Sequence, residues 1–144
     1  MRFESPMIVV SDIERSRRFY TEVLGEAVLH DLGNYVVFKG RFSMMERSQW
    51  RALGGGEQGF ELYFEEENVE KFASALGDAP LLTALSEAPW GQRTVRLLDP
   101  DGHAVEVGEP MEAVVRRFIA SGMTPEEAAR KSLMPMEFVR MCMK

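Results

Sequence analysis

The sequence predicts an α+β protein: two βαβββ modules in tandem, followed by a helical tail. Three observations predict it. Two stretches about 55 residues apart, VSDIERSRRFYTEVLG and FEEENVEKFASALG, share one order of features: a strand end, a cap residue, a helix carrying phenylalanine and a closing glycine. The segments after each helix alternate apolar and polar residues, the period of a half-buried strand. Beyond Gly108 that period gives way to helical spacing.

Each element follows from local chemistry. Pro6 to Ser11 (PMIVVS) reads as the first strand. Ser11 or Asp12 caps a helix to Leu24, stopped by Gly25, with Ile13, Phe19, Tyr20, Val23 and Leu24 as its apolar face. Ala27–Leu32, Tyr35–Lys39 and Phe42–Arg47 are strands separated by Gly33-Asn34 and Gly40-Arg41 turns. Ser48 to Gln58 (SQWRALGGGEQ) breaks the pattern and reads as a flexible glycine-rich connector holding Trp50. The order then repeats. Phe60–Glu65 is a strand, and Asn68 caps a helix to Leu76 that Gly77 ends. Pro80–Ala84, Arg93–Leu98 and His103–Val107 are strands, the last two joined by an Asp-Pro-Asp-Gly turn at 99–102.

In the tail, MEAVVRRFIASG is an amphipathic helix closed by Gly122. Thr124-Pro125-Glu126-Glu127 has the form of a capping box opening a second helix, and Pro135 starts a third. The last two have the spacing of a helix-turn-helix, with Ala129 and Val139 as packing residues. However, Leu133 stands where glycine is usual, and the final helix, PMEFVRMCMK, is mostly apolar. A base-reading helix needs polar and basic side chains, so the expected role is packing on the body, on a partner subunit or over a site. The organisation is therefore a paired-module domain at 1–108 (modules 1–47 and 59–108) and a helical extension at 109–144.

Composition narrows the classes. The chain has 144 residues, 45% of them hydrophobic and 28% charged, enough for a real core. No apolar run reaches the roughly 20 residues that span a bilayer, and MRFESPMIVVSD lacks the apolar core of a signal peptide. One cysteine, Cys142, allows no internal disulfide; the expectation is a cytoplasmic protein with no membrane partner. The first 108 residues carry 11 basic and 18 acidic side chains and the remainder 6 and 5, which argues against a nucleic-acid partner.

With these residues in place the chain resembles the vicinal oxygen chelate superfamily, the glyoxalase, bleomycin-resistance and ring-cleaving dioxygenase group. The resemblance rests on VSDIERSRRFYTEVLG, on FELYFEEENVEKFASAL and on LLDPDGHAVEV, and covers about residues 3 to 108. It implies sheets curled into a cup with a site inside, and a homodimer. It also implies metal ligands at the starts of the first and fifth strands, after the Asp-Pro-Asp-Gly turn and on the fourth strand. Those positions hold Ser5, Glu61, Glu106 and Glu46 (Met44 after a register slip), whereas metal-using members place histidine at the first two.

Alternation places Val105 and Val107 towards the core and Glu106 on the other face; Phe60, Leu62 and Phe64 likewise oppose Glu61, Tyr63 and Glu65. Three carboxylates without imidazole suit a hard ion such as Mg²⁺ or Mn²⁺ better than Zn²⁺ or Ni²⁺, and iron dioxygenase chemistry wants two histidines. Arg96, on the parity of Thr94 and Leu98, offers a competing partner for both carboxylates. Two adjacent carboxylates would also raise a pKa, making one of them a candidate catalytic acid or base. The expected ligand wall is Ser5, Met7, Phe38, Phe42, Met44, Trp50, Tyr63, Trp90 and Arg96, with the two tryptophans at the rim or in a lid. Three functions remain: a metal-independent protein that binds a small apolar or aromatic ligand, a divalent-metal lyase, isomerase or dioxygenase-like enzyme using Glu106 and Glu61, and a ligand-sensing regulator acting through the tail. The missing histidines favour the first, with no cofactor.

Overall fold

The computed structural model describes residues 1–23, 25–57, 59–98 and 103–144; the Asp-Pro-Asp-Gly turn at 99–102, Leu24 and Gln58 lie outside these. The first module contains β1 (Arg2–Val10), α1 (Ile13–Arg18) continuing as one π-helical turn (Phe19–Val23), β2 (Val28–Asp31), β3 (Tyr35–Phe38) and β4 (Phe42–Glu46). A short helix α2 (Arg47–Ala52) follows. The second module contains β5 (Phe60–Glu65), α3 (Val69–Ser74), β6 (Leu81–Glu87), β7 (Arg93–Leu98) and β8 (Ala104–Gly108). Helices α4 (Met111–Ala120), α5 (Pro125–Ser132) and α6 (Met136–Cys142) complete the chain.

The caps read from the sequence are formed. Asp12 Oδ1 accepts from the Arg15 amide at 2.9 Å, and Asn68 Oδ1 from the Lys71 amide at 3.1 Å. Thr124 and Glu127 cap each other's backbone at 3.2 and 2.8 Å. Leu133 adopts the left-handed conformation, φ 60°, at the turn position where glycine would be unstrained.

The strands form one mixed sheet in the order β2-β3-β4-β1-β5-β8-β7-β6. Within each module the first and last strands run parallel, β1 with β4 and β5 with β8. The two modules of one chain join edge to edge through antiparallel β1 and β5, with Met7 opposite Glu61 and Ser5 opposite Tyr63. Because side chains alternate, each strand sends one set outward under a helix and the other into the cup. Outward, Ile13 and Tyr20 of the first helix cover Val36, Phe38 and Met44. Val69 and Phe72 of α3 cover Val95, Val105 and Val107. Inward lie Met7, Met45 and Ala104.

The connector differs from its sequence reading. Arg47–Ala52 is a helix, and it drives Trp50 into the cup, where the indole is fully buried against Met7, Met45 and Ala104. A large apolar side chain outweighed the glycine signal, which applies only to the residues that follow. Gly55 lies under the Trp50 ring, where a Cβ would come within 2.1 Å of it. The tail is a three-helix unit with its own core of Val114, Val115, Phe118, Ala128 and Val139. Among the described residues no helix is long and apolar enough to cross a membrane.

Candidate functional site

Three neighbouring strands bring polar side chains to one level of the cup. Glu106 of β8 lies opposite Tyr63 of β5 on one side and Arg96 of β7 on the other; Glu61 is one inward step along β5. The Arg96 guanidinium sits between the carboxylates. Its Nε donates to Glu61 Oε2 at 2.9 Å, its Nη2 forms an ion pair with Glu106 Oε2, and its Nη1 donates to the Leu53 carbonyl at 3.2 Å. Trp50 covers the group, its ring centroid 5.3 Å from the guanidinium carbon. Glu61, Arg96 and Glu106 are all buried, at 3%, 7% and 7% exposure.

Two carboxylates share one cation in a buried site, and that imbalance sets the electrostatics. Burial, and then the Glu106 charge, push the Glu61 carboxyl up to about 8 against the pull of Arg96. Burial also raises Glu106, again opposed by Arg96. Burial works against the Arg96 charge, but the two carboxylates outweigh it and hold the guanidinium protonated. Tyr35 and Tyr63 are raised as well, chiefly by burial.

Beside this group a cleft of about 250 Å³ opens between the end of α2, the β6–β7 connection and the strand floor. Ala52, Leu53, Pro89 and Trp90 form its apolar side; Ser86, Glu87, Thr94, Arg96 and Glu106 form its polar side. The Trp90 indole N–H donates to Gln92 Oε1 at 3.1 Å. Gln92 Nε2 in turn donates to the Tyr63 hydroxyl at 2.8 Å and the Glu109 carbonyl at 2.9 Å, so the rim is tied to the floor.

The structure thus brings Glu61, Tyr63, Arg96 and Glu106 together, with Met7 packed beneath Trp50. Ser5 shares the inward parity of Met7. Trp90 lines the cleft as a rim residue, while Trp50 is a plug in the cup and not part of a rim or lid. Phe38, Phe42 and Met44 do not face the cup. β3 and β4 turn them outward, where Tyr20 packs on both phenylalanines at 5.5 and 5.1 Å between ring centroids. Glu46 shares the parity of Met44, and its Oε1 accepts from the Ser48 hydroxyl at 2.9 Å where α2 begins. The sequence reading passed over Leu53, Ser86, Pro89 and Gln92. Only Gln92 carried a signal, as a polar residue entering a buried strand.

The residues present do not fit the divalent cation that the resemblance implies. Arg96 already occupies the space between Glu61 and Glu106 and engages an oxygen of each. Glu46 lies on the other face, and Ser5 offers only a neutral hydroxyl. Among the described residues no group of three or more His, Cys, Asp and Glu side chains could hold a metal ion.

A cupped sheet of paired βαβββ modules with a polar group on its floor defines the class: a small α+β protein of two tandem modules followed by helices. The chain belongs to the glyoxalase-like domain family, whose family model matches residues 3–112. Among solved structures, a protein of unknown function from Agrobacterium tumefaciens str. C58 is 38% identical over 76% of this chain and 94% of its own, with a TM-score of 0.37. A glyoxalase/bleomycin resistance protein/dioxygenase superfamily member from Vibrio splendidus 12B01 is 16% identical over 74% and 97%, with a TM-score of 0.58. The 2,3-dioxygenase LapB from Pseudomonas sp. KL28 is 14% identical over 75% of this chain and 42% of its own, with a TM-score of 0.50. No curated protein gives a significant match.

Proposed function

We propose that this protein binds a small molecule without a metal, in the cleft beside the Glu61–Arg96–Glu106 group. One observation carries the reading: a guanidinium stands between the two carboxylates that would otherwise hold a cation. The lining supports it, since Trp90, Pro89 and Leu53 supply apolar contact while Thr94, Ser86 and Glu106 supply a few orienting groups. The test is elemental analysis of protein purified without a polyhistidine tag, with thermal melts in Mn²⁺, Ni²⁺, Zn²⁺ and Fe²⁺. The expected result is no stoichiometric metal and no stabilisation. Near-stoichiometric metal that disappears in Glu106→Gln would overturn the reading and favour a metal-dependent enzyme.

A second reading, a ligand-sensing regulator, is favoured by the contact between the rim and the tail. Arg117 Nη2 of α4 donates to the Gly91 carbonyl at 2.5 Å, one residue beyond Trp90, and also to Glu109 Oε2 at 2.9 Å. A change at the rim would therefore be felt by the tail.

A further inference from the structure

Resting on the reading of the cleft as a binding site, we propose that its ligand is a small organic cation: an ammonium or amidinium group attached to an aromatic or apolar body. The argument starts from the charges that meet there. The floor holds two carboxylates and one guanidinium, and the mouth adds a third carboxylate, Glu87. Glu87 is partly satisfied by Arg93 and Arg117, at 3.7 and 3.4 Å from its Oε2. On the floor no second basic side chain is paired with Glu61 or Glu106 among the described residues. Below about pH 8 Glu61 makes up the balance by keeping its proton, and a positive ligand group would take that proton's place in a setting where charge–charge attraction is little screened.

An anion would find the opposite. Among the described residues the only cation lining the cleft is Arg96, and each of its three nitrogens already has a partner, Glu61, Glu106 or the Leu53 carbonyl. An entering carboxylate or phosphate would face Glu87 at the mouth and Glu106 on the floor, and the N–H donors left on Arg96 belong to a guanidinium already paired with two carboxylates. The recognition chemistry left open is weighted towards acceptance: carboxylate oxygen accepts only, and the hydroxyls of Ser86 and Thr94 accept as well as donate.

The wall suits the same ligand. Trp90 offers an aromatic surface beside the carboxylate, the pairing that holds organic cations elsewhere in protein chemistry. This fold uses such contacts internally, with Arg96 over Trp50 and Lys131 over Phe118 at 5.3 and 4.5 Å. Size sets the upper limit. About 250 Å³ is the liquid volume of about eight water molecules, below the usual range for drug-sized ligands, so a monocation with one ring is the largest simple fit.

The experiment compares three probes of one shape and different charge: benzylammonium, benzyl alcohol and benzoate. Binding is read from the indole N–H resonances of Trp90 and Trp50, assigned with Trp90→Phe. We expect benzylammonium to bind about tenfold or more tightly than benzyl alcohol, the difference that one charge-assisted contact makes, and benzoate not to bind. In Glu106→Gln that ratio falls towards one while benzyl alcohol still binds, which shows that the cleft survives the substitution. The ratio in the unaltered protein is a separate measurement that needs no variant. Equal or tighter binding of benzyl alcohol or benzoate overturns the charge class and leaves the cleft a binding site. No indole shift with any of the three overturns both the charge class and the binding reading.

Discussion

Arg96 and Glu106 are direct cross-strand partners on β7 and β8, and their side chains form a buried ion pair on the floor of the cup. Glu61 reaches the same guanidinium from β5, so three strands of the second module are tied at one point. Burying these charges costs several kcal/mol per ion, and only good geometry offsets that cost. The arrangement therefore contributes more to fixing strand register and site chemistry than to net stability.

Removing the cation exposes that cost. In Arg96→Met two buried carboxylates lose their shared partner, and we expect a stability loss of about 3–5 kcal/mol. Urea titration checks it, with the midpoint falling and the slope unchanged. Arg96→Lys should lose less charge balance but cannot reach Glu61, Glu106 and the Leu53 carbonyl together. A stability loss below about 1 kcal/mol in Arg96→Met would mean the pair is not buried as described.

The pH dependence follows from Glu61. Its folded pKa is about 8, above the ordinary value of 4.5, so between these values the folded state holds a proton that the unfolded state has released. Stability is therefore fully present below about pH 4.5 for this group and falls as pH rises through about 8. Melting temperature should decline between about pH 4.5 and pH 8 and level off above, each kcal/mol lost shifting Tm by roughly 3 °C for a chain of this size. In Glu61→Gln that decline should flatten. A decline of equal size in the variant would assign the effect to another group.

Much of this was legible in the sequence because period and capping act locally. The Asp12, Asn68 and Thr124 caps, the repeated module and the inward parity of Glu61, Tyr63, Arg96 and Glu106 all follow from residues close in the chain. What was not legible depends on contacts between distant residues. Phe38, Phe42 and Met44 belong to a greasy alternation whose inner and outer faces are decided only by where Tyr20 lands. Three glycines marked 48–58 as flexible, whereas the burial of Trp50 decides where the start of that segment goes. Leu53 enters the site through its backbone carbonyl, which no side-chain pattern reports.

Trp50 should be costly to truncate. It is fully buried, donates its indole N–H to the Gly56 carbonyl at 2.9 Å and covers Arg96. Trp50→Ala should lose about 3–5 kcal/mol, measured by chemical denaturation. The vacated space adjoins the cleft through Leu53, so the variant should also admit a probe larger than benzylammonium. Unchanged probe selectivity would show that the cup and the cleft are separate volumes.

The tail contact gives the sharpest structural test. Gly91 has φ +86°, and a Cβ there would come within 2.0 Å of Phe118 Cζ, so Gly91→Ala pays both backbone strain and a collision with α4. Gly77 has φ +57° and nothing within 4 Å of a built Cβ, so Gly77→Ala isolates the strain alone. We expect Gly91→Ala to destabilise by about 1–3 kcal/mol and Gly77→Ala by the lower part of that range. Only Gly91→Ala should also shift the Trp90 indole resonance and speed amide exchange in α4, because Arg117 and Phe118 hold α4 on the residue next to Trp90. If the Trp90 resonance and α4 exchange match those of Gly77→Ala, rim and tail move independently, and a regulator reading through the C-terminal helices fails.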